Sequence, residues 1–163
     1  MRSPAPGLSL RLRLRPKQRK MHPLHQRESI TGKGEGMPRT ARLFLLLGCI
    51  AALLAVALGA FGAHGLKARI APELMSAYKT GVEYHFYHAL GLICVGLAAC
   101  QLPQSAYLER AGWAMLAGIV LFSGSLYLLA LTGVGALGAI TPLGGLAFLA
   151  AWGLFAAAVV KAR

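Results

Sequence analysis

The sequence predicts an all-α fold: an integral membrane four-helix bundle behind a disordered, basic N-terminal tail. Three observations carry that prediction. Hydrophobic residues make up 56% of the 163 and charged residues only 13%, too oily a balance for an ordinary soluble domain. Four apolar stretches each approach the roughly 20 residues needed to cross a hydrocarbon core about 30 Å thick. Charge is also segregated, since eleven of the 17 Lys and Arg, and two of the five acidic residues, precede Leu43.

Residues 1–42 form the tail, with RLRLRPKQRK (Arg11–Lys20) and TGKGEGMPR (Thr31–Arg39) punctuated by Pro and Gly and without aliphatic periodicity. A nucleic-acid role is set aside because no Phe, Tyr or Trp precedes Phe44 to stack a base. Met37 offers an alternative start, MPRTAR leading directly into the first apolar run. The membrane domain is placed at 43–160, with spans at about 43–62, 85–102, 113–132 and 142–160, and a cytoplasmic end at 161–163. The first span, LFLLLGCIAALLAVALGAFG, carries no charge. It is too long for a signal-peptide core of about 7 to 15 residues. LLGC (Leu46–Cys49) imitates a lipoprotein cleavage site, but the apolar run continues past the cysteine. The second span stops at Pro103, which cannot continue a helix. The fourth opens at Thr141-Pro142, a capping hydroxyl followed by a residue suited to the first helical position. TGVGALGAIT before it is Gly-rich, uncharged and short, so the third and fourth spans are expected to form a tight antiparallel hairpin, with a dip of this loop into the bilayer as the alternative.

Basic residues near the spans set the orientation. With both ends cytoplasmic, Arg39, Arg42, Arg110, Lys161 and Arg163 lie inside, and Lys67, Arg69 and Lys79 outside. Because lipid tails are as apolar as leucine, helices in a bilayer associate through close backbone approach and interhelical hydrogen bonds. The expected packing faces are Ala51, Ala55, Gly59 and Ala63 on the first span, Ala114, Gly118, Ser125 and Thr132 on the third, and Gly144, Ala147 and Ala151 on the fourth. These faces also suggest a homo-oligomer. Cys49, Cys94 and Cys100 lie in apolar runs without CxxC spacing and are read as small buried hydrophobes.

The unusual chemistry is in GVEYHFYHALGL (Gly81–Leu92). On a wheel with Glu83 at zero, Tyr87, Tyr84 and His88 fall at about 40°, 100° and 140°. Glu83, Tyr84, Tyr87 and His88 are therefore expected to face the bundle or the headgroup layer, with Phe86, Leu90, Ile93 and Leu97 toward lipid and His85, at about 200°, outside the polar group. His64, directly after the first small-residue stripe, is placed at the same outer boundary, within reach of Glu83. A metal site using His64, Glu83, His85 and His88 lacks a tight motif. An ion path through Glu83 and His88 lacks a charge near mid-span. A haem or quinone site normally draws deeper histidines from facing helices. The reading carried forward is a polar clamp between the first two spans, with no catalytic residue, metal or cofactor assigned. Ser123 and Ser125 in LFSGSLY have no base nearby in sequence and are read as bonding to their own helix or a neighbour.

GAFGAH (Gly59–His64), TG-x-EY (Thr80–Tyr84) with His88 four residues beyond, FSGSLY (Phe122–Tyr127) and TP-x-GG (Thr141–Gly145) together resemble the YgdD-like bacterial inner-membrane proteins, domain of unknown function 423. The resemblance covers about residues 37–163 and leaves 1–36 without a counterpart. It implies a small multi-pass inner-membrane protein with no established enzymatic activity. His85 stands where the resemblance calls for glutamine, which weakens the metal reading. By resemblance the positions to mutate are His64, Glu83, Tyr84 and His88. The expectation is a structural or accessory, non-enzymatic protein whose partner is the lipid bilayer; a small transporter or channel subunit using Glu83 and His88 is the alternative.

Overall fold

A computed structural model describes residues 36–162. The expected disordered tail therefore lies, over residues 1–35, outside the described residues. The elements are α1 (Arg39–Phe61), α2 (Pro72–Gln101), α3 (Ala106–Gly118), α4 (Gly124–Thr132) and α5 (Thr141–Lys161). A π-helical turn, Gly62–Leu66, extends α1, a second, Ile119–Ser123, joins α3 to α4 without a break, and a 3-10 turn, Gly135–Ala139, leads into α5. Four rods result, Arg39–Leu66, Pro72–Gln101, Ala106–Thr132 and Gly135–Lys161, each long and apolar enough to cross a membrane. Among the described residues there is no strand.

Local chemistry sets the boundaries. α2 starts with Pro72 in its first turn, and α5 with Pro142, where a missing N–H costs nothing. Ser105 caps α3, its Oγ accepting from the N–H of Leu108 at 3.4 Å. α4 ends at Gly133, whose φ of 72° is the only positive value among the described residues and whose N–H returns to the Leu129 carbonyl at 2.8 Å. Three helices begin ahead of the apolar runs, α1 at Arg39, α2 at Pro72 and α3 at Ala106. The 30 residues of α2 rise about 45 Å, well beyond a hydrocarbon core of about 30 Å, so its polar first turns belong to the interface.

Glycines bring the rods together in antiparallel neighbours. A Cβ at Gly48 would sit 2.6 Å from Ile93 Cγ1 and 3.0 Å from the Ala89 carbonyl, and one at Gly96 would sit 2.8 Å from the Leu45 nitrogen, so α1 and α2 touch backbone to backbone. Gly91 receives Met115 and Gly81 receives Tyr127, which joins α2 to the α3–α4 rod. Gly118 receives the Phe148 ring, and Gly144 lies against the backbone of Phe122, which joins that rod to α5. The main core runs through Phe44, Leu92, Val95, Leu108 and Met115, all fully buried, and a smaller one contains Leu66, Met75, Tyr78 and Ala130. Large aliphatics cover the outside: Leu53 is 68% exposed, Leu149 72% and Val160 76%, the surface of a protein solvated by lipid rather than water.

The expected packing faces are partly displaced. The buried positions of α1 are Ala41, Phe44, Gly48, Ala51 and Ala55, continued by Gly62 and Leu66 in the π turn, with Gly59 half-buried and Ala63 exposed. A strict four-residue stripe gains about 40° per step. By Ala63 it has left the seam, which alternates steps of three and four and passes through Gly48 and Gly62 instead. On the third rod Gly118 and Ser125 are buried and Ala114 half-buried, but Thr132 is exposed, its hydroxyl donating to the Leu128 carbonyl at 2.7 Å. On α5, Gly144 and Ala151 are buried and Ala147 half-buried. The three cysteines are exposed on the outer surface and unpaired, not buried.

Candidate functional site

α2 carries the chemistry, and its buried seam passes through Tyr78, Gly81, His85, His88, Leu92, Val95 and Ala99. Steps of three and four centre that seam near 165° on the wheel where Glu83 is zero, between the positions of the two histidines. His85 is consequently buried, and the expectation that it lies outside the inward group is corrected. Its Nδ1 lies 3.2 Å from the Tyr127 hydroxyl, tying α2 to α4. The Tyr78 hydroxyl donates to the Leu58 carbonyl at 2.8 Å, tying α2 to α1, and its ring packs 5.1 Å from that of Tyr127. A third tie joins the next pair of rods. Ser125 donates to the Phe122 carbonyl at 2.9 Å, so the Thr141 hydroxyl, 2.8 Å from Ser125 Oγ, must be the donor between those two. The serine thus bonds its own helix and a neighbour together.

The expected site residues are not gathered in one place. His64 is exposed on the π turn that follows α1. Glu83 is exposed beside Gly59, Ala63 and Lys79 along a shallow cleft of about 200 Å³ between α1 and α2. No hydrogen bond or ion pair connects His64 with Glu83 among the described residues, nor does any group of three His, Cys, Asp or Glu come close enough to hold a metal ion. Tyr87 is 57% exposed, pointing away from the bundle rather than into it. Glu83 and His88 are five residues apart, so they point in directions about 140° apart. Of Glu83, Tyr84, Tyr87 and His88, expected to face the bundle or the headgroup layer, only His88 is buried, at 6% exposure.

His88 and Tyr84 instead belong to an aromatic cluster. The His88 ring stacks on Phe148, with centroids 3.3 Å apart and planes at 11°. Tyr84 stacks on Phe122 at 4.5 Å. Around them a cleft of about 550 Å³ opens sideways between α2 and α5, lined also by Pro142 and Trp152. The π turn Ile119–Ser123 presents Phe122 to this cleft, and it also contains Ser123, whose fully buried Oγ has no partner among the described residues. Sequence reasoning missed Tyr127, Phe148 and Trp152 as members of the site; their link to α2 is a long-range contact that no local spacing encodes. At the other end of the bundle Lys161 donates to the Tyr107 hydroxyl, its ammonium 4.4 Å from that ring's centre, holding the end of α5 to the start of α3.

Four apolar antiparallel rods, closed by glycines and by side-chain bonds between helices, define a multi-pass helical membrane protein. Residues 58–145 match the family described as "Protein of unknown function (DUF423)", and the chain belongs to that family. It is 54% identical over 120 residues to UPF0382 membrane protein YwdK of Bacillus subtilis (strain 168), covering 74% of this chain and 98% of the relative. Against UPF0382 membrane protein SH2409 of Staphylococcus haemolyticus it is 47% identical over 111 residues, 68% of this chain and 89% of the relative. Against UPF0382 membrane protein SERP0230 of Staphylococcus epidermidis the identity is 45% over 120 residues, 74% and 97% of the two chains. No solved structure matches.

Proposed function

We propose that this chain is a structural or accessory protein of the bacterial inner membrane, without enzymatic activity of its own, and with both ends in the cytoplasm. One observation supports the reading: side-chain hydrogen bonds in the interior tie neighbouring helices to one another. The buried polar side chains among the described residues are His85, His88, Ser123 and Ser125; none is a carboxylate, a lysine or an arginine. His85 and Ser125 spend their polar atoms on neighbouring helices. Orientation is supported by the even number of rods, which places Arg39, Arg42 and Lys161 at one end, and by Lys67, Arg69 and Lys79 at the other. The relatives are named as membrane proteins and come from bacteria. Self-association belongs to the same reading, through the outward faces of α1 or α5, since the small-residue faces are largely occupied within the chain.

Reconstitution into proteoliposomes tests the central claim. Purified protein is expected to carry no proton, sodium or potassium flux above that of empty vesicles across pH, and Glu83→Gln is expected to change nothing. Flux that disappears in Glu83→Gln overturns the reading in favour of a transporter. For the topology, cysteines introduced at Pro72 and Pro103, with Cys49, Cys94 and Cys100 replaced, should label from outside and inside respectively. The reverse pattern, or labelling of both from one side, overturns it.

A further inference from the structure

The lateral cleft between α2 and α5 has the makings of a binding site, and the argument begins with one nitrogen atom. His88 Nδ1 lies 2.8 Å from the backbone carbonyl of Tyr84. A carbonyl can only accept, so Nδ1 carries the hydrogen; in the neutral ring this leaves Nε2 with a lone pair and no hydrogen. Nε2 has no partner among the described residues, and it is not sealed off, because Ser123 Oγ is the one fully enclosed and unpartnered side-chain oxygen or nitrogen among them. His88 is 94% buried, and it lines the cleft of about 550 Å³. A strong acceptor without a donor among the described residues thus belongs to a side chain in the wall of this cavity.

What surrounds that acceptor restricts the occupant. Tyr84, Phe122, Phe148 and Trp152 line the same cleft, and ring faces favour another flat ring over a saturated chain. His88 is 13 residues, about 20 Å, from the Gln101 end of α2, inside a hydrocarbon core of about 30 Å measured from that end. A phospholipid acyl chain can fill the volume but has no hydrogen to give.

We propose that this cleft binds an aromatic alcohol of the membrane phase, of the phenol or quinol class, whose ring lies among Tyr84, Phe122 and Trp152 and whose hydroxyl donates to His88 Nε2. The occupancy is binding alone, with no electron or group transfer. Saturated alcohols share the donor but not the ring, and aryl ethers share the ring but not the donor, so the two halves of the claim separate experimentally.

The chain contains two tryptophans, and Trp113→Phe leaves Trp152 as the only reporter, situated in the cleft. The full chain in lipid nanodiscs is titrated with 4-nonylphenol, with its methyl ether, and with a saturated alcohol of equal length, at matched membrane concentrations. The phenol should change Trp152 emission saturably, with a Kd roughly tenfold below those of the ether and the alcohol. His88→Phe, which keeps a ring against Phe148 but removes the acceptor, should erase the preference for phenol over ether. An ether that binds as tightly as the phenol in the parent protein overturns the hydroxyl contact. An alcohol that binds as tightly overturns the aromatic class, and a response that never saturates shows partition into the bilayer and removes the site altogether. Should His88→Phe fail to fold, Leu146→Phe is decisive: it narrows the exposed rim of the cleft and leaves His88 intact. Undiminished phenol binding in that variant overturns the location. None of these results depends on ion flux, so the proposed accessory role and this site stand or fall separately.

Discussion

Replacing Gly96 by alanine adds one methyl group where α1 and α2 are in backbone contact. That methyl would lie 2.8 Å from the Leu45 nitrogen, 2.8 Å from Leu45 Cγ and 3.1 Å from the Ala41 carbonyl. Ordinary carbon contacts lie near 3.5 to 4.0 Å, so α1 must retreat by roughly 0.7 Å or more. A side chain could rotate away, but two of the three obstructing atoms belong to the α1 backbone. Overpacking of this kind costs about 1 to 3 kcal/mol. Alanine also gains up to about 1 kcal/mol over glycine in helix propensity, which would mask part of the loss. Gly153→Ala is the control, because nothing lies within 4 Å of its Cβ position and it takes the propensity gain without the clash. The difference between the two variants thus isolates a packing cost of about 1 to 3 kcal/mol, a factor of roughly 5 to 160 in the folding equilibrium. The assay is unfolding in a mixed-detergent titration followed by Trp113, whose ring packs edge-on to Phe44 of α1 at 5.8 Å. A Gly96→Ala protein as stable as Gly153→Ala would refute the α1–α2 register.

Other expectations follow from single contacts. Tyr127→Phe deletes the hydroxyl that meets His85 and should cost about 0.6 kcal/mol, with about 1.7 as the upper bound for such bonds in a bilayer; a double-mutant cycle with His85→Phe should show the two changes coupled. Ser123→Ala and Ser125→Ala should move stability in opposite directions, the first upward by removing a buried unpartnered hydroxyl, the second downward by leaving Thr141 without an acceptor, as read by thermal unfolding in detergent. Lys161→Met should lose the contact with Tyr107 and speed hydrogen exchange in the last turn of α5 without affecting α1 or α2. Gly133→Ala places a side chain at φ 72° and should destabilise the α4 end by about 1 kcal/mol or more, seen as faster exchange of the Gly133 amide region alone.

The membrane class and its four rods were legible because apolar run length is a direct reading of bilayer thickness. Pro142 marked the start of α5 for an equally local reason, but Thr141 is the first residue of the helix rather than its cap, and its hydroxyl bonds Ser125 instead. The start of α2 was not legible from hydropathy, since Glu73 and Lys79 end the apolar signal while the helix itself continues back to Pro72. Which face of α2 turns inward was in fact written in the order Tyr78, Gly81, His85, His88, Leu92. It went unread because polarity alone does not separate inside from outside near a membrane boundary. Gly81, which admits Tyr127, was the residue that decided the matter. The stacking of His88 on Phe148 unites residues 60 positions apart and had no local signature at all.

The most extensive packing in the molecule joins rods that follow one another in the chain, α1 with α2 and the α3–α4 rod with α5. As the polypeptide leaves the ribosome, the first hairpin can enter the bilayer and close on Gly48 and Gly96 before the second has been made. Biogenesis then needs only one late event, the docking of two finished hairpins across Gly81 and Gly91. Among the described residues, no rod has to wait in lipid for a distant mate.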